Sequence, residues 1–242
     1  MVRGGIGGEL LLSLFSVSEL AKASVFVRNE KSDVFRPENN LKESYYFVFG
    51  GKVLQSSKDF KGFFFEGCEA TVSAGRCTFY HVTKGNVSGC ACGAAYRNAI
   101  VDISDHAEML YFNSASGIAS LNSHVAAFDG ASVELCGESS GMGQGFAKLY
   151  FSERSHGTVL GNAVAVATGE SKVRMREQAF CLADGLCSVS AEENNVVYRL
   201  SKKAKVTLNK KSVMREVAES EISRYLQAFE AYDSSLGKKF SV

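Results

Sequence analysis

Proline occurs once in this 242-residue sequence, at Pro37, and tryptophan not at all. So little proline excludes a proline-rich spacer, and the 23 glycines suit short, repeatedly turning strands. Charge of one sign is missing too: 27 lysines and arginines stand against 26 aspartates and glutamates. No net field draws the chain to nucleic acid or to an acidic membrane surface, and neither is expected as a partner. No apolar run reaches the roughly 18 residues of a membrane-spanning helix, so no membrane span is expected. Disulfide-framework spacing is also absent. The seven cysteines, Cys68, Cys77, Cys90, Cys92, Cys136, Cys181 and Cys187, are odd in number and read as reduced, buried thiols of a chain that folds in a reducing cytoplasm.

What is present divides into three parts. Residues 1–60 read as a small α/β cap. "MVRGGIGGELLLSLFSVSELAKA" has a basic start and an Ala21-x-Ala23 ending, but Glu9 interrupts its apolar region. The expectation is a short amphipathic helix over 9–23 rather than a secretory leader. "SVFVR" at 24–28 reads as a strand, and "YYFVFGGKVL" at 45–54 as a hairpin turning at Gly50-Gly51.

Residues 61–209 carry a repeat. Ala131, Ala147, Ala163, Ala179 and Asn195 are 16 apart, and Ser155, Ser171, Cys187 and Lys203 form a second series eight out of phase. Each eight-residue unit alternates over about five positions and then turns at Gly, Asn, Asp, Glu or Ser, as in "AVAVATGE" and "SKVRMREQ". Alternation specifies strands, and a fixed period specifies stacked units. The fold class is therefore mainly β: a parallel β-solenoid with two strands per 16-residue coil. About nine coils are expected, a rod on the order of 43 Å long. The order weakens upstream of Ala115, where "KGNVSGCACGAAYRN" fits poorly. Residues 210–242 read as a C-terminal amphipathic helix and tail, with Met214, Ala218, Ile222, Tyr225, Leu226 and Phe229 on one face.

Phasing the strands separates inside from outside. Val173, Met175, Val189 and Ala191 share one side of their strands, while Lys172, Arg174, Ser188 and Ser190 share the solvated side. The other strand series has two apolar sides: Tyr150, Val164, Val166, Phe180, Leu182, Val196, Tyr198 and Leu200 lie opposite an already apolar inner set. A strand apolar on both faces is covered on both. Either the C-terminal helix or a second copy lies there.

Chemistry-bearing motifs are sparse. His124 and His156 are two coils apart, with Ser140 between and Lys172 next. At roughly 9.6 Å they are too far apart to share a metal ion, and they read as solvated positions or as contacts for a glycan or protein partner. Cys90-Ala91-Cys92 lacks the further ligands a metal site needs. "GESSGMGQG" at 137–145 lacks the lysine and helix of a phosphate loop and is expected at a solenoid turn. Lys202, Lys203, Lys205, Lys210, Lys211 and Arg215 read as a solvated solenoid end. Outward acids such as Asp102, Glu134 and Asp184 are scattered, not paired across a cleft. No catalytic residue, metal site or cofactor is assigned.

The units "HVAAFDGASVELCGE" and "GNAVAVATGE", within residues 115–208, resemble the A-x-V-x-A-x-(D/G)-x repeats of β-helical proteins on bacterial and bacteriophage surfaces. The resemblance concerns the repeat type. It implies a self-associating structural or interaction rod of the fibre, adhesin or scaffold kind, whether in a virion or at a cell surface. The alternative expectation is a β-helix that binds or cleaves polysaccharide.

Overall fold

The computed structural model of the chain describes residues 24–28, 34–35 and 45–232. The predicted helix over 9–23 lies outside the described residues. The rest is a parallel β-solenoid of 22 strands in about 11 turns, two more turns than the repeat suggested. Its register is regular. Along one side, which we call ladder one, His124 sits beside Ser140, Ser140 beside His156, and His156 beside Lys172. Along the other, ladder two, Lys148 sits beside Val164, Val164 beside Phe180, and Phe180 beside Val196.

The corners set the period. A residue in the left-handed region recurs at every eighth position, from His81 and Gly89 through to Gly185 and Glu193. It is followed by one outward residue and then a small buried one, as in Asp105-His106-Ala107 and Glu153-Arg154-Ser155. Several left-handed residues bond the coil before them: Asp105 Oδ2 accepts from Gly89 N at 3.2 Å, and Glu153 Oε2 accepts from Gly137 N at 2.7 Å. These carboxylates satisfy amides that the strand ladders leave over. Small residues are required at the buried corner because the two ladders converge there.

Several sequence expectations are corrected by this arrangement. Residues 45–54 form no hairpin. Tyr45–Gln55 is one strand, paired in parallel with Lys61–Val72, and Gly50 and Gly51 (φ 71° and 69°) take the chain round a corner between ladders. Two glycines with positive φ serve a corner as well as a tight turn, and parallel neighbours select the corner. Stacking thus begins upstream of residue 61, since Ser24–Arg28 pairs with the first half of Tyr45–Gln55.

The "KGNVSGCACGAAYRN" region also keeps the period, with strands Lys84–Val87 and Cys92–Tyr96 and buried corners Thr83, Ala91 and Ala99. The corner residues carry the repeat there, while the alternation that marks it elsewhere is weak. "GESSGMGQG" is more than the expected turn. Ser140–Gln144 is a ladder-one strand whose inward Gly141 and Gly143 leave room for the Leu135 and Leu149 side chains. At the far end one residue is inserted, so Ala204 takes the buried corner instead of Lys203, which is exposed.

The C-terminal segment is not helical throughout. Val213–Glu216 pairs with Val196–Arg199 as the last ladder-two strand, and Met214 belongs to it. The helix, α1 (Ile222–Glu230), begins later, with Ala218 exposed ahead of it. An open ladder edge supplies ready backbone partners, which outweigh the helical spacing of side chains over 213–216.

Candidate functional site

Two outward surfaces were singled out by sequence, and the structure treats them oppositely. The second apolar face, on ladder two, is covered by the chain itself. Val164, Val166, Leu182, Tyr198 and Leu200 are buried, with Tyr150, Phe180 and Val196 half-buried around them. Phe229 of α1 is buried against this face, its ring edge-on to Tyr150 at 4.9 Å between centroids. Tyr225 packs on Tyr198, also at 4.9 Å. Val217 and Tyr232, which helical spacing did not flag, complete the cluster, and the Tyr232 hydroxyl donates to Asn162 O at 2.6 Å.

Polar contacts lock the register of the helix. Lys148 Nζ donates to the Glu230 carbonyl, and the Tyr150 hydroxyl to Glu230 Oε1, each at 2.8 Å. Burial, and secondarily the Glu230 carboxylate, pushes the Tyr150 hydroxyl well above its ordinary range. Among the predicted helix residues Ile222 is half-buried in the cluster, whereas Leu226 is 39% exposed. The helix lies along the ladder-two face, not across the end of the rod. The outer edges of Lys205–Leu208 and Val213–Glu216 have no further strand partner among the described residues. Lys202, Lys203, Lys205, Lys210 and Lys211 are all exposed in this coil, charges that oppose edge-to-edge pairing.

The outward face of ladder one changes character along the rod, and at its start Phe47, Phe65 and Tyr80 are buried in a cluster of their own. Its first half carries a column of stacked rings that sequence reading missed: Phe49, Phe65, Tyr80, Tyr96, Phe112 and Phe128. Successive centroids lie 4.7, 5.3, 5.1, 4.9 and 5.0 Å apart, with planes within 13° of parallel. The last four rings recur every 16 residues, so the signal was present as a third landmark series. Beside them runs an apolar strip, Ala94, Leu110, Ala126 and Met142, in which Leu110 is 43% exposed.

No protein-family model, curated protein or solved structure matches this chain.

The second half of ladder one is polar. Two adjoining depressions, each of about 520 Å³, share Arg154 and His156. The first is bounded by His106, Asn122, His124 and Glu138, the second by Thr158, Lys172, Arg174, Ser188 and Ser190. Corner residues form one wall and strand residues the floor. Nδ1 of His124 contacts the Ser140 hydroxyl on the next coil. Arg154 Nη2 lies 2.9 Å from Glu138 Oε1, and Glu192 lies 2.5 Å from Arg174 and 3.3 Å from Arg176. The Arg174 hydrogen bond foremost, with the Arg charges, holds the Glu192 carboxyl below its usual range.

The remaining candidates are not gathered into a site. Cys90 is exposed in a turn, Ala91 is a buried corner, and Cys92 starts the next strand. Among the described residues no group of three or more His, Cys, Asp or Glu is placed to hold a metal ion. Asp102 and Glu134 lie on ladder two with Ile118 between them, Asp102 Oδ1 accepting from Ile118 N at 2.9 Å. Asp184 accepts from Gly185 N at 2.8 Å.

Proposed function

We propose that this chain is a structural and interaction rod, a β-solenoid that associates side by side with copies of itself through the first half of ladder one and presents the rest of that face to a partner. The observation that carries the reading is the Leu110 strip. It is apolar, with Leu110 43% exposed and Ala94, Ala126 and Met142 half-buried, and it runs along the rod axis beside the stacked rings of Tyr96, Phe112 and Phe128. The ladder-two face no longer supports this reading, because α1 occupies it. A strip on a straight rod is self-complementary under a twofold axis, so two copies laid antiparallel would cover one another's strips.

Sedimentation equilibrium over a range of concentrations tests this. The wild-type chain is expected to dimerise or assemble further, and Leu110→Lys to shift it to monomer with the circular dichroism unchanged. A wild-type chain that stays monomeric at every concentration would defeat the proposal.

A further inference from the structure

We propose that the second half of the ladder-one face binds an acidic polysaccharide, its chain lying along the rod axis in the groove over Arg154, His156, Lys172 and Arg174. The groove floor carries no carboxylate. From Ser140 to Ser190 the outward strand residues are Ser140, Met142, Gln144, His156, Thr158, Lys172, Arg174, Ser188 and Ser190. Of the acids that approach, Glu170 is exposed on the corner column one coil beyond Arg154, while Glu138 and Glu192 stand at the groove's two ends, each engaged by an arginine. Their pairing fixes the guanidinium groups at the groove rim. Between them Lys172 and His156 are register neighbours on adjacent coils, and neither is in an ion pair with a carboxylate among the described residues.

Repetition selects an extended polymer over a small anion. Equivalent positions recur about every 4.8 Å along the axis, so a chain molecule meets a donor at each coil. One column offers His156, Lys172 and Ser188, and the next offers Thr158, Arg174 and Ser190. Cations alternating with hydroxyls and an imidazole suit a polymer that bears both acid groups and hydroxyls. No Phe or Tyr lines the groove, so it lacks the stacking platforms that single-stranded nucleic acid uses. This inference stands independently of self-association, which uses the other half of the face.

The test titrates the full chain with polygalacturonate, dextran sulfate, neutral dextran and oligothymidylate of matched length, by calorimetry at low and at 0.3 M salt, roughly the range over which ionic contacts are screened. At least one acidic glycan is expected to bind saturably and to weaken with salt, and neutral dextran is not. Preference between the first two probes tells whether the site takes carboxylate or sulfate. Lys172→Glu should weaken binding at least about tenfold, and Lys172→Gln less. Lys84→Glu, the same charge change on exposed ladder two, should leave it unaltered. Matching thermal melts show that these exposed variants fold. No saturable binding of either acidic glycan, equal losses in Lys172→Glu and Lys84→Glu, or tighter binding of oligothymidylate would each overturn the proposal. Failure here with dimerisation intact leaves the rod reading standing, and the reverse holds as well.

Discussion

Ser155 and Ser171 occupy equivalent corners two strands apart, yet their hydroxyls fare differently. Ser155 Oγ donates to Ser152 O at 2.7 Å, whereas Ser171 Oγ is buried with no hydrogen-bond partner among the described residues. A buried, unpaired hydroxyl costs about 1–3 kcal/mol, and a made hydrogen bond contributes about 1 kcal/mol. Ser171→Ala is therefore expected to raise the unfolding free energy measured in urea and Ser155→Ala to lower it, by about 1 kcal/mol each. Opposite signs at equivalent corners would confirm the hydrogen-bond accounting; equal signs would refute it.

Cysteine gives a second residue-scale prediction. Burial pushes the Cys68 thiol up to about 12 and, chiefly by the same cause, Cys187 up to about 11. Both stay protonated in the fold at neutral pH. A group whose folded pKa is raised contributes stability below its unfolded value, near 8.5, and that contribution fades as pH rises toward the folded value. Stability should decline from about pH 9 to 11 by more than in the Cys68→Ala, Cys187→Ala double variant, measured relative to each protein's neutral-pH value. At neutral pH a maleimide should label exposed Cys90 far faster than buried Cys68, Cys181 or Cys187, as peptide mapping would show.

At the scale of elements, α1 is held by one buried ring and a rim of polar contacts. Phe229→Ala removes the ring at its centre, a loss of about 3–5 kcal/mol for a fully buried phenylalanine. The ladders have their own core beneath Ala165, Cys181 and Val197, so the expected result is release of the helix from an intact solenoid. Limited proteolysis should then cut between Val217 and Tyr225 while the β circular dichroism persists. Leu182→Lys should do the same from the other side, because Leu182 lies in the cluster that the helix covers. Loss of all folded signal in either variant would mean that helix and solenoid form one cooperative unit.

For the whole molecule, the register makes coils interchangeable and half-coils not. His124 pairs with Ser140 and Ser132 with Lys148, an offset of 16 in both ladders. Deleting residues 124–139 removes one full coil and should yield a shorter rod with a cooperative melt. Deleting only 124–131 would set the downstream ladder two over the upstream ladder one, ending the ring column at Phe112 and seating Ser132 and Glu134 beside Glu108 and Leu110. That variant is expected to aggregate or fail to fold, by size-exclusion chromatography and circular dichroism. Survival of the half-coil deletion would show that the ladders tolerate either sequence.

The sequence by itself determined the solenoid, its 16-residue coil, the inner side of most strands and the second apolar face. Each follows from local rules: alternation fixes the faces, and the corner needs a small residue every eighth position. Even the ring column was legible in the spacing of Tyr80, Tyr96, Phe112 and Phe128. Tertiary structure alone decided how the ambiguous pieces resolve. Gly50-Gly51 became a corner because parallel strands flank it on both sides, and Val213–Glu216 became a strand because an open edge lay beside it. The ladder-two face is closed by the chain's own helix because Phe229 and Tyr225 reach Tyr150 and Tyr198. The polar groove arises the same way, as corner residues from one coil meet strand residues from the next. Spacing along the chain gives each residue its column, but only the folded coils bring neighbouring columns within reach of one ligand.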